Sequence, residues 1–111
     1  MVAAMKVFLD WPYKGLWPND RAHWAVKSKA TKAYRFAAKV KLLKATVGPI
    51  RVTFCPKAMG PMPDMDNCIA AFKAGQDGIA DALGVNDRGL IVTDEMGGRC
   101  KDGAVIVEIL S

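Results

Sequence analysis

Asp64 and Asp66 stand one residue apart in the run PDMDN, Lys73 and Asp77 follow, and Asp87 closes the stretch in VND. These are residue types that can do phosphate chemistry. If Asp66 is set to zero on a helical wheel turning about 100° per residue, Lys73 falls at roughly 340° and Asp77 at roughly 20°. The three share a face, opposite Cys68, Phe72 and Ile79. Clustered carboxylates repel one another unless a cation neutralises them. Their hard oxygens suit Mg²⁺ or Mn²⁺, with water and phosphate oxygens completing the shell. A metal held there lowers the pKa of an attacking water and stabilises charge on a scissile phosphate. Lys73 would offset the extra charge or orient the water. The same residues also have a purely structural reading. An aspartate before a helix is a common N-cap, and Lys73 with Asp77 is an ordinary i,i+4 pair worth about 0.2–0.5 kcal/mol. Asp87 reaches the other carboxylates only if the next strand runs back alongside the helix start, or if its loop folds over the helix.

The charge distribution bears on which reading fits. The net charge is +5, but residues 21–63 carry ten bases and no acid, whereas residues 64–111 carry nine acids and four bases. Such segregation points to a polyanion for the middle of the chain and a cation for the acidic part. A solvated helix face is the plainer alternative. The three cysteines, Cys55, Cys68 and Cys100, are far apart, and His23 is the single histidine. That is too few soft ligands for a zinc site, so the cysteines read as reduced, small, buried side chains. No apolar run reaches the length of a membrane span, and the apolar start is too short for a secretory signal. The expected compartment is the cytoplasm, with no membrane partner.

Several elements must position these residues. With 111 residues, 51% of them apolar, the chain suits a single domain spanning 1–111. Residues 5–11 alternate in part and stop at Pro12, as a strand does. Residues 13–20 read as a loop. Residues 23–45 read as a long helix ended by Gly48 and Pro49. Its wheel puts Val26, Ala30, Ala33, Phe36, Ala37, Val40 and Leu43 on one side, with Lys32, Arg35 and Lys39 adjoining. Residues 50–57 read as a second strand, and 58–63 as a loop. Residues 67–83 read as a second helix, capped by Asp64 or Asp66 and ended by Gly84. Its core face carries Cys68, Phe72, Ile79 and Leu83, and Gly75 and Gly78 permit close packing. Residues 90–94 and 104–110 complete an α+β fold, a small mixed β-sheet with two packed helices in the order βαβαββ.

With those elements in place, the residues resemble a known family. DMDN (64–67), a helix carrying Lys73 and DGI (77–79), and then ND (86–87) resemble the RusA family of Holliday-junction resolvases, many encoded by phages. WP at 11–12, NDRAHW at 19–24 and YR at 34–35 resemble that family's proline-rich opening and its N-R-x-H-W-like segment. The likeness runs in order along nearly the whole chain. It implies an α+β homodimer that cleaves branched DNA with Mg²⁺, with catalytic roles for Asp64, Asp66, Asp87 and Lys73 and metal ligation by the three aspartates. Where the family often has paired aspartates at the third position, this chain has Asn86 and Asp87, so the resemblance assigns Asp87 alone. Some members carry the lysine one turn earlier, where Ala70 stands here.

The leading expectation is therefore a Mg²⁺-dependent, structure-selective endodeoxyribonuclease that resolves four-way junctions in recombination and repair, with Mn²⁺ as a possible substitute. Arg21, Lys27, Lys29, Lys32, Arg35 and Lys39 are the candidate contacts to the DNA backbone. Such contacts position DNA without reading its sequence. Trp11, Trp17 and Trp24 read first as packing residues and second as base-stacking ones. His23 reads as a cap or a phosphate contact. Two alternatives stay open: a non-catalytic DNA-binding accessory module, and an interaction protein whose basic helix meets an acidic partner.

Overall fold

The computed structural model describes residues 3–21 and 23–110, with Asp87 described by its backbone alone. The elements follow the chain as β1 (Ala3–Asp10), α1 (Trp24–Lys41), β2 (Ile50–Cys55), α2 (Met65–Ala71), α3 (Lys73–Leu83), a short 3-10 turn (Asp87–Gly89), β3 (Val92–Met96) and β4 (Ala104–Leu110). The α+β class expected from the sequence is the observed one. The difference in detail is that the second helix comes as two segments.

The sheet order is β1-β4-β2-β3. β4 lies antiparallel between β1 and β2, and β3 pairs parallel with β2 on the edge. β1, β2 and β3 therefore share one direction, and each step between them crosses over through helix. Alternation along the strands selects the covered face. Ile50, Val52 and Phe54 on β2 and Val105, Val107 and Ile109 on β4 are buried, joined by Leu9. Tyr34, Ala38 and Leu42 close on them from the α1 side, and Cys68, Phe72 and Ile79 from the other helices. The opposite face of the sheet carries Lys6, Glu108 and Arg51 as cross-strand neighbours, with Arg51 and Glu108 in a two-bond ion pair at 3.1 Å.

The helices break at Phe72, whose φ of −86° and ψ of −1° leave regular helical values. Its ring is buried edge-on between Tyr34, 6.0 Å between centroids, and Phe54, 5.8 Å away. Gly75 makes room for this arrangement, because a Cβ there would come within 2.6 Å of the Phe72 ring and 2.8 Å of the Tyr34 ring. At Gly78 a Cβ would run into the Arg35 carbonyl oxygen and within 2.9 Å of the Ala38 Cβ, so α1 and α3 pack backbone to backbone there. Gly84 ends α3 in the left-handed region at φ 69°, which glycine enters without a steric cost.

One expectation is corrected. The apolar side read from the α1 wheel does not form the core contact. Val26, Phe36, Val40 and Leu43 face outward, with Phe36 66% exposed, and Tyr34 and Ala38 face the sheet. Tyr34 donates from its hydroxyl to the Asp10 carbonyl at 2.6 Å, and its ring sits edge-on to Tyr13. An aromatic ring anchored at its polar tip and one small residue, Ala38, suffice where α3 approaches closely, so the larger apolar side chains are left outside.

The three cysteines are free; Cys68 is buried as expected, whereas Cys55 and Cys100 are only half-buried. No helix among the described residues is long and apolar enough to cross a membrane.

Candidate functional site

Asp64 is the N-cap residue of α2 by backbone position, at φ −71° and ψ 148°, yet its side chain makes no capping hydrogen bond. Asp66 follows in the first turn, and both side chains are exposed. Cys68, in the same short helix, is buried. The negative charge of Asp64, after burial, helps push the Cys68 thiol above its ordinary value. Acidic groups at a helix N-terminus are stabilised by the macrodipole, so their company there carries little strain.

Lys73 opens α3 and is exposed. Its ammonium donates to Asp77 Oδ1 at 2.8 Å. The two residues border a polar cleft of about 410 Å³, to which Arg35, Asp81 and Asn86 also contribute. A second cleft, about 330 Å³, continues from the same pair toward Lys27, Thr31 and Trp17. Lys27 of α1 and Lys73 of α3 thus line one cavity, although far apart in sequence. Asp64 and Asp66 line neither.

Asp87 lies in the turn after α3, and its side chain is outside the described residues. Its main chain sits beside the C-terminal end of α3, whereas Asp64 and Asp66 sit at the start of α2. β3 does run back and packs against α2, but Asp87 precedes that strand. Among the described residues no group of three or more His, Cys, Asp or Glu is placed to hold a metal ion.

The candidate DNA contacts divide into two kinds. Arg21, Lys29, Lys32 and Lys39 are exposed, and Lys27 is half-buried in the cleft beside Lys73. Arg35 is exposed too, but its guanidinium is held by Asp81. His23 caps α1, with its Nδ1 accepting from the Ala25 amide at 3.2 Å, and its ring lies beside the Trp24 ring. Trp24 is 74% exposed, while Trp11 and Trp17 pack partly against the core.

Two acidic residues were not singled out from the sequence. Asp81 falls one turn after Asp77, so the spacing 73, 77, 81 would have drawn it onto the Lys73 face. Asp94 is the partner of buried Val52 in the β2 and β3 register, and burial pushes its carboxyl above its ordinary value. The alternation of Val92, Asp94 and Met96 along β3 is the signal that would have placed it on the helix side.

No family model matches the chain. A protein of Xylella fastidiosa (strain Temecula1 / ATCC 700964), described as an uncharacterized protein, is similar to it, with 42% identity over 90 residues. The match takes in 72% of this chain and 58% of the relative, so the chain accounts for little more than half of that protein's length.

Proposed function

We propose that the chain is a RusA-like, metal-dependent endodeoxyribonuclease that cleaves branched DNA, with the four-way junction as its substrate. The observation that carries the reading is the start of α2. Two carboxylates separated by a single residue are exposed there, and the one at the N-cap position is not used as a cap. The capping role that most often explains such an aspartate is absent.

Asp64 and Asp66 fit Mg²⁺ chemically, since that ion is commonly held by one or two carboxylates together with waters and phosphate oxygens. When bound, the ion would supply Lewis-acid stabilisation of the phosphate and an acidified water. Asp87 is the proposed third ligand. Lys73, in ion-pair contact with Asp77, is a cation that a phosphate can recruit by exchange, and Lys27 in the same cavity adds a second. Arg21, Lys29, Lys32 and Lys39 supply exposed charge for backbone contacts, and Arg35 joins them if Asp81 releases it. A C₂ homodimer would present one site to each of two opposed strands of a nearly two-fold junction. The acid-free run from 21 to 63 makes attraction to a polyanion general along α1.

Incubation of a synthetic four-way junction with the protein and Mg²⁺ tests this reading. Paired nicks near the branch are expected from the wild type and a loss of at least about a hundredfold from Asp66→Asn. Equal cleavage by both proteins would remove the assignment.

The second reading is a non-catalytic DNA-binding accessory module. The satisfied pair of Lys73 with Asp77 favours it, because that contact is stable without any substrate. Junction binding with no nicking under any divalent ion would select it.

A further inference from the structure

We propose that the cleft between Trp11, Trp17 and the loop of residues 56–63 is a subsite for one unstacked nucleobase, with cations around it for the neighbouring phosphates. The proposal rests on the reading of the chain as a protein that acts on DNA, and it names the part of the substrate that this surface takes.

The cleft is built from pieces held by hydrogen bonds and ring contacts. After β1 the chain turns at Pro12, and the Trp11 and Trp17 rings meet at 5.3 Å between centroids with a 34° tilt. Trp17 donates from Nε1 to the Pro12 carbonyl at 3.1 Å, which fixes its ring plane. The turn between them is closed by the Leu16 amide on the Tyr13 carbonyl and by the Gly15 amide on Asp20 Oδ2 at 2.6 Å. Trp11 also lies against Gly103, where a Cβ would come within 2.8 Å of the indole. The facing wall is Pro56, Met59, Pro61 and Pro63. Arg99 holds that wall by donating to the Lys57 carbonyl at 2.8 Å and the Gly60 carbonyl at 3.1 Å.

The resulting space is about 250 Å³, room for a single base. Its walls are flat rings and prolines, the surfaces on which bases of any sequence stack. Lys57 lines it and also lines a neighbouring cavity of about 510 Å³, which the same two tryptophans, Lys14, Arg21 and a single acid, Asp20, line as well. An uncharged proline-rich peptide would use the rings but not these three cations. A nucleotide uses both. Pro63 of the wall is followed directly by Asp64, so a base lodged here would bring its strand beside the carboxylates at the start of α2. Fully paired duplex offers no free base face, whereas a branch point or a single strand does.

The test uses Trp24→Phe as the parent protein, so that emission comes from Trp11 and Trp17. Its probes are an eight-nucleotide oligo-dT, an octaproline peptide and the four-way junction. Oligo-dT is expected to quench the emission. Trp17→Ala is expected to weaken oligo-dT binding between about fivefold and a hundredfold. Met59→Glu, at a position 86% exposed, is expected to weaken it without lowering the melting temperature. Asp66→Asn is expected to leave the quenching intact while junction cleavage is lost. Absence of quenching by oligo-dT, a response to octaproline instead, or binding unchanged in Met59→Glu would overturn the subsite. Quenching by oligo-dT without junction cleavage by the parent would overturn the endonuclease reading and leave the subsite standing.

Discussion

The Arg35 guanidinium meets the Asp81 carboxylate through two hydrogen bonds, Nε to Oδ2 at 2.6 Å and Nη2 to Oδ1 at 2.9 Å. The pair joins α1 to α3 at the level where Gly78 lets the two backbones touch. It is the fork geometry that arginine makes and lysine cannot. Both side chains are partly in solvent, so the pair is worth at most about 1 kcal/mol. Asp81→Asn is expected to lower stability by no more than that in a urea titration. It also releases a cation onto the polar cleft. Junction binding should therefore tighten, and the slope of log affinity against log salt should steepen by about one. Fluorescence anisotropy across a salt series reads both effects, and an unchanged slope would mean that Arg35 does not reach the DNA.

Gly78→Ala tests the contact beneath that pair. Alanine favours helix over glycine by about 1 kcal/mol. Here the added methyl would meet the Arg35 carbonyl and the Ala38 side chain, and both belong to helix that cannot yield cheaply. Overpacking of this kind costs about 1–3 kcal/mol, which outweighs the propensity gain. A net loss of stability in chemical denaturation is expected, whereas a gain would show that α1 slides away without cost.

The Tyr34 hydroxyl, bonded to the Asp10 carbonyl, is the polar anchor of α1 on β1. Burial is the main reason its hydroxyl stays protonated far into alkaline pH. Tyr34→Phe keeps the ring and removes the bond, so a loss of about 0.5–1.5 kcal/mol is expected, typical of one neutral hydrogen bond. A larger loss would mean that the ring itself moves in the variant, which a near-ultraviolet dichroism spectrum would report.

The acid limb of the stability curve should carry two opposed contributions. Burial raises the Asp94 carboxyl above its ordinary 3.8, so the fold prefers it protonated. Its contribution is complete below 3.8 and is lost as the pH rises through the raised folded value. Asp81 and Glu108 are held below their ordinary 3.8 and 4.5, chiefly by hydrogen bonds from Arg35 and Arg51. Their contributions are present above those values and are lost as the pH falls through the lowered ones. Asp94→Asn is therefore expected to melt above the wild type near neutral pH, with the gap closing in acid. Glu108→Gln should melt below the wild type near neutral pH, with its gap also closing in acid. Melting curves across the range check both signs.

Much of the fold was legible because its signals are local. The strand at 104–110 has matching bounds in sequence and structure, since a dense apolar run flanked by Gly103 leaves little choice. Of the four residues on the core face of the wheel, Cys68, Phe72 and Ile79 are buried and Leu83 is partly buried against them. The face of α1 was not legible. Its larger apolar residues, Phe36 and Val40, look like core on a wheel, but the side that packs is decided by Gly75 and Gly78 on another helix. The break at Phe72 escaped for a similar reason, since the rings of Tyr34 and Phe54 that receive it are distant in sequence. In the candidate site, Asp66 and Lys73 are exposed, as polar positions away from a core face should be, but the break at Phe72 interrupts the wheel that joined them to Asp77 on one face. The partnership of Arg35 with Asp81 was not legible, because it depends on α1 and α3 lying side by side.

The central claim is that the carboxylates at the start of α2 do chemistry on DNA that the basic face merely holds. The direct measurement is junction binding and junction cleavage by the wild type and by Asp66→Asn in parallel, with binding read in Ca²⁺ and cleavage in Mg²⁺. The account predicts that the variant binds within about threefold of the wild type, or somewhat more tightly through loss of a negative charge, while its cleavage falls by at least about a hundredfold. Cleavage by Asp66→Asn at the wild-type rate would contradict it.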